Sequence, residues 1–184
     1  MVIITNFQAP KEIEDLIYRY ENNDKLTSLD ILIHVALNEG ETEWTVSKDS
    51  MPGDIVLFMC AKTSIDHISR LFNEAKRLGN EDFTIYAEEQ REAYRKYAGK
   101  ILAIGRLEGI PFYSESDYPY QGWKSPWYGK IVDLIWLENA ISIDKFRDFI
   151  KISRTGAITK LNNDQWQILS EIIVKHGNDI SSFV

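Results

Sequence analysis

PGDIVLFMCAKTS, residues 52–64, decides how the chain is to be folded. Pro52-Gly53-Asp54 is a turn signal. The seven residues IVLFMCA, 55–61, follow with no polar break. A short apolar run bounded by turn chemistry reads as a strand buried on both faces. Thr63 or Ser64 then caps a helix over 63–80. Ile65, Ile68, Leu71, Phe72, Ala75 and Leu78 form its apolar stripe, and Gly79 ends it.

Outward from this unit the pattern alternates between the two periods. Residues 86–99 read as a second, highly charged helix whose main apolar groups are Tyr86, Tyr94 and Tyr97, with Gly99 as its stop. KILAIGRLEG (100–109) and KIVDLIWLE (130–138) read as strands, and SIDKFRDFI (142–150) as a short helix. Upstream, Pro10 opens a helix through Ile13, Leu16, Ile17 and Tyr20 that stops at Asn22-Asn23. DILIHVALN (30–38) reads as a buried strand, and 39–54 as a polar connection that carries Trp44. Asn162 and Gln165 form a capping-box pattern for a last helix closed by Gly177. Leu161 staples onto Trp166, which makes that tryptophan structural. Strands separated by helices, the strongest of them apolar on both faces, predict an α+β domain with a small curved or barrel-like sheet.

The totals exclude several classes. At 184 residues and 44% hydrophobic, the chain is one ordinary globular domain with a real core. The single cysteine, Cys60, allows no internal disulfide. No signal peptide or long apolar run is visible, so a cytoplasmic location and no membrane partner are expected. The formal charge of −7 argues against a general nucleic-acid binder. The charge is uneven, however: residues 99–160 hold 9 basic against 7 acidic side chains, whereas residues 1–98 hold 11 against 18.

Few motifs carry chemistry. His34, His67 and His176 show no metal-ligand spacing, so no metal and no cofactor are expected, and His34 reads as a core histidine inside its strand. There is no phosphate-binding glycine loop and no nucleophile elbow. Cys60 sits in an apolar strand. Lys62 and Thr63, with Glu108 on a neighbouring strand, form a candidate catalytic group beside the plainer reading of a surface lysine and a helix cap. The remaining feature is aromatic. Trp123 and Trp127 lie in the loop GWKSPW before a strand, and Trp44 lies in the polar connection. Rings on loops held by a rigid sheet can stack on a nucleobase or enclose a methylated one. Trp136 falls inside the strand and reads as core.

Three segments then carry a resemblance. PGDIVLFMCAKTS, GKILAIGRLEG and WKSPWYGKIVDLIWLENAIS, in that order, resemble the EVE and YTH branch of the PUA-like superfamily. The stretch FRDFIKISRTGAITKLNNDQWQIL resembles the EVE ending, and the likeness covers roughly residues 28–176. It implies a β pseudobarrel of about five to six strands with surrounding helices, spanning 1–184 as a single domain with a helical insertion at 63–98. It implies a module that reads one flipped-out or modified base of DNA or RNA without catalysis. By position, Trp123 and Trp44 become cage walls, and Trp127 packs beside them. Phe58, Cys60 and Thr63 lie on the strand end lining the pocket, and Ser153 lies near it. Lys124, Lys130 and Arg154 meet phosphates. The chain departs from the pattern by inserting about 35 residues between AKTS and GKILAIG, which offer a homodimer or partner surface. The related ASCH branch, with small amidohydrolases and nucleases, gives the enzymatic alternative on Lys62, Thr63 and Glu108. A protein-interaction domain is the third reading.

Overall fold

Two strands far apart in sequence share the centre of the molecule. In the computed structural model, which describes residues 1–22, 26–115, 126–153 and 158–184, β1 (Val2–Phe7) runs parallel to β3 (Ile55–Cys60) in register from Val2↔Ile55 to Phe7↔Cys60. All six residues of β3 are buried, as expected of a strand with packed layers on both faces. β4 (Lys100–Leu107) pairs antiparallel with β3, and β6 (Trp127–Ser142) antiparallel with β4. β2 (Thr42–Thr45) and the two-residue β5 (Phe112–Tyr113) both pair with β6. β7 (Ile158–Leu161) closes the far side against β1. The order is β2-β6-β4-β3-β1-β7, with β5 beside β6.

The sheet curls into a half-barrel. The Thr5 hydroxyl on β1 donates to the Thr45 carbonyl at the end of β2, 3.1 Å away. Those strands stand four places apart in the order. Lys160 on β7 likewise meets Asp49, just past β2, at 3.2 Å. Such curvature needs backbones close together. A Cβ on Gly105 would lie 2.5 Å from Ile131 Cγ2 and 3.2 Å from the Val132 carbonyl. A Cβ on Gly129 would lie 2.4 Å from Leu107 Cδ1. Glycine is what permits these two crossings. The expected α+β pseudobarrel with surrounding helices is thus the architecture present.

Strand parity divides the core in two. Ile3, Phe7, Val56, Phe58 and Cys60 face a cluster covered by α1 (Ile13–Glu21), α2 (Ser28–Asn38), α3 (Ser64–Leu78) and α4 (Glu81–Tyr97). Val2, Ile4, Leu57 and Met59 face a second cluster, with Phe146, Ile150 and residues of α5 (Asn163–Lys175). The Asn162–Gln165 capping box forms in both directions, at 2.9 and 3.0 Å, and Trp166 packs on the second cluster.

Several elements differ from the sequence reading. Residues 30–38 belong to α2, not to a strand. Leu29, Leu32, Val35 and Ala36 are buried at helical spacing, and Thr27 with Asp30 makes a capping box one step before the run began to look apolar. His34 is accordingly exposed on that helix, 3.0 Å from Glu39, rather than in the core. Trp44 and Trp127 lie in β2 and β6, not in loops. α4 starts at Glu81, where the Asn80 side chain accepts the Phe83 N–H at 3.0 Å. Residues 143–145 make one 3-10 turn rather than the start of a longer helix. β1, β5 and β7 are additions. Among the described residues no helix is long and apolar enough to cross a membrane.

Candidate functional site

The parallel pair β1–β3 ends at a cleft of about 870 Å³. Its floor comes from Asn6 and Gln8 leaving β1 and from Met59 and Ala61 leaving β3. Lys62 and Thr63 form one rim, where the chain turns into α3. The opposite wall is the segment from Ile143 to Ser153, which sets Ile143, Ile150 and Ile152 beside Arg147, Lys151 and Ser153.

The local geometry holds this rim open. The Ala61 N–H bonds the Phe7 carbonyl at 2.7 Å, which ties the two strand ends together. Ser64 is buried and accepts the Ala9 N–H at 3.0 Å. Thr63 occupies the N-cap position of α3 without a side-chain cap bond. Thr63 is exposed and lines the cleft. The Ser153 N–H donates to Thr159 Oγ1 at 3.1 Å, which fixes the far wall to β7.

Among the described residues three cations, Lys62, Arg147 and Lys151, line the cleft, and no carboxylate does. Arg147 meets Asp144 at 3.1 Å with both side chains largely exposed, an arrangement that gives up little when a ligand competes. The amide oxygen of Asn6 is buried and has no hydrogen-bond partner among the described residues. An orphaned buried acceptor is costly unless a donor reaches it. The start of α3 adds its dipole to the positive side. The arrangement suits a ligand with an anionic group and an apolar face.

The sequence-predicted site residues fall into separate groups. Thr63, Lys62 and Ser153 come together in the cleft. Phe58 and Cys60 do not: both are completely buried in the first cluster, on the opposite face of the sheet from Asn6 and Met59. Burial pushes the Cys60 thiol up to about 12, against a smaller opposing hydrogen bond from Ser64. Trp44 belongs to that same face. Its ring meets Phe7 edge-on at 5.8 Å and Phe58 at 5.3 Å. Trp127 packs edge-on against Tyr113 at 5.8 Å. Trp123, Lys124 and Arg154 lie outside the described residues.

Lys130 and Glu108 sit at the other end of the sheet. Cys60 pairs with Lys100 while Ile55 pairs with Arg106, so the length of β3, about 20 Å at ~3.3 Å per residue, separates Glu108 from Lys62. The Lys62–Thr63–Glu108 group is therefore not assembled. Lys130 is exposed between Glu108 at 2.9 Å and Glu41 at 3.3 Å, whose hydrogen bonds hold its ammonium above the usual lysine range, Glu108 foremost. A lysine already shared by two carboxylates is a poor phosphate ligand. Among the described residues no three His, Cys, Asp or Glu side chains converge as a metal site.

Asn6, Gln8, Arg147 and Lys151 were not found from sequence. Asn6 and Gln8 needed β1, which has no local turn to announce it. Arg147 and Lys151 did leave a signal: four residues apart, they would share one face of a helical segment.

No protein-family model matches the chain. No curated protein matches it either. Among solved structures, it is similar to protein Atu2648 from Agrobacterium tumefaciens at 10% identity and a TM-score of 0.46, over 96% of this chain and 93% of that one.

Proposed function

We propose that the protein is a non-catalytic nucleic-acid-binding module that takes one extruded nucleotide into the cleft at the ends of β1 and β3. The observation that carries this reading is a cleft that, among the described residues, is lined by three cations, an amide whose buried oxygen lacks a partner and no carboxylate, in a chain of net charge −7. Lys62, Arg147 and Lys151 take the phosphate. The Asn6 amide meets the base edge, and the part-exposed Ile143 and Ile152 meet the face of the base. Thr63 and Ser153 add polar contacts. The EVE- and YTH-like segments of the sequence support the same reading, and its finer form, a modified base held by an aromatic wall, rests on Trp123. A cleft of this volume is within the usual range for a small-molecule or nucleotide site.

Fluorescence anisotropy of labelled oligonucleotides, with and without methylated bases, tests it. Saturable binding is expected to fall roughly tenfold or more in Asn6→Ala and in Lys62→Gln/Lys151→Gln, with the fold intact, since a lost charged or buried partner is worth about 1.5–3 kcal/mol. Trp123→Ala is expected to remove any preference for a methylated base. No binding to any oligonucleotide, or binding unchanged in both cleft variants, overturns the proposal.

A further inference from the structure

The end of the sheet where β3 finishes carries more cations than the cleft uses. Lys100 opens β4 opposite Cys60 on one side and Ser142 on the other. Gly99 lies against the stem of Lys62: a Cβ there would meet Lys62 Cβ at 3.5 Å and Ile143 Cγ2 at 3.8 Å. Lys145 ends the 3-10 turn begun by Ile143, which itself lines the cleft. Lys96, in the last turn of α4, holds its ammonium 5.0 Å from the Tyr97 ring centre, and its carbonyl accepts from Lys100 Nζ at 2.8 Å. Among the described residues, the lysines that form ion pairs are Lys130 and Lys160, neither of them here. The acidic side chains on the adjoining turn are Asp144, tied to Arg147, and Asp148.

We propose that Lys96, Lys100 and Lys145 form a second phosphate-binding site contiguous with the cleft, so that the ligand is a polynucleotide whose backbone continues over the β4 end of the sheet. The inference rests on the nucleotide reading of the cleft. Part of the group comes from α4, within the inserted helices, so the insertion extends the binding face. Phosphates placed successively along a strand need cations placed successively along a surface, and each contact releases counterions. A free mononucleotide would use the cleft alone.

The test compares a mixed-sequence single-stranded dodecamer with the four nucleoside 5′-monophosphates, each titrated between about 50 and 200 mM salt. The dodecamer is expected to bind the native protein at least tenfold more tightly. In Lys96→Gln/Lys100→Gln/Lys145→Gln that margin is expected to vanish. The salt slope is expected to fall by about 2, at ~0.7 per phosphate contact on a single strand. Mononucleotide affinity should stay unchanged. Lys100 also bonds the end of α4, so thermal melting accompanies the binding data. Lys145→Gln alone, which removes no bond to the end of α4, is expected to lower the slope by ~0.7. Equal affinity for dodecamer and mononucleotide, or a slope unchanged in the triple and single variants, overturns the second site. If Lys62→Gln/Lys151→Gln weakens binding roughly tenfold or more in that case, the cleft stands and only its extension falls. If neither probe binds at all, both fall together.

Discussion

Trp44→Ala separates a ring that faces a ligand from a ring that holds the barrel together. The indole is partly buried against the first core cluster and meets Phe7 and Phe58 edge-on at 5.8 and 5.3 Å. Complete burial of an aromatic removes about 150–250 Å² from water, about 4–6 kcal/mol at ~25 cal/mol per Å². Partial exposure lowers that figure, and two edge-to-face contacts raise it by about 0.5–1.5 kcal/mol each. The expected loss is about 3–4 kcal/mol, in line with Trp→Ala changes in other cores. Most domains have only about 5–15 kcal/mol in total, so the variant should unfold at much lower urea with the same m-value. Its folded fraction should bind oligonucleotides as the native protein does, because Trp44 lies on the face of the sheet away from Asn6. A variant that keeps its stability within about 1 kcal/mol but loses binding would refute this placement.

Other substitutions test the architecture more locally. Gly105→Ala forces a methyl group to within 2.5 Å of the stiff side chain of Ile131 and 3.2 Å of a carbonyl oxygen. It should cost about 1–3 kcal/mol by denaturation, whereas a cost near zero would show that the β4–β6 crossing relaxes freely. Cys60 should resist thiol reagents at pH 8 in the folded protein and react at the rate of unfolding. Its thiol is pushed up to about 12 by burial. The folded value lies above the unfolded one, so its contribution is fully present below about pH 8.5 and is lost as pH rises toward 12, by up to ~1.4 kcal/mol per pH unit. Cys60→Ala should flatten that alkaline decline, and an unchanged decline would assign it to other groups.

The parts legible in the sequence were those encoded locally. β3 announced itself because a turn precedes it and no polar residue interrupts it. α3 and α5 carried their own stops or caps. α2 failed because Ile31 and Ile33 pack on the core beside its buried stripe, so it is apolar nearly all round and the 3.6-residue period is blurred. β1 failed for a different reason: its partner β3 lies some fifty residues away and runs parallel, so no hairpin turn marks it. That one missed strand hid half of the cleft floor. The site reading inherited the same asymmetry. Lys62 and Thr63 were found because they follow a legible strand, and Asn6 was not. Trp44 reads as a ligand-facing ring, but parity sends its neighbours Phe7 and Phe58 to one face of the sheet and the cleft-lining Asn6 and Met59 to the other.

Net charge is a poor guide to the proposed partner because it sums over distances that salt makes irrelevant. The Glu41–Lys130–Glu108 group stands about one strand length, ~20 Å, from the cleft. At about 0.15 M salt the Debye length is ~8 Å, so those carboxylates are hidden from a phosphate at Lys62, while Arg147 and Lys151 are not. At about 0.01 M salt the Debye length grows to ~30 Å and the whole acidic chain is felt. The consequence is measurable. A plot of log affinity against log salt should be steep between about 50 and 200 mM and shallower below about 20 mM, where repulsion by distant carboxylates offsets the cleft cations. Glu41→Gln/Glu108→Gln should steepen the slope at low salt only in part, without changing affinity at about 150 mM. A single constant slope in the native protein would refute this account of how an acidic chain would hold a phosphate.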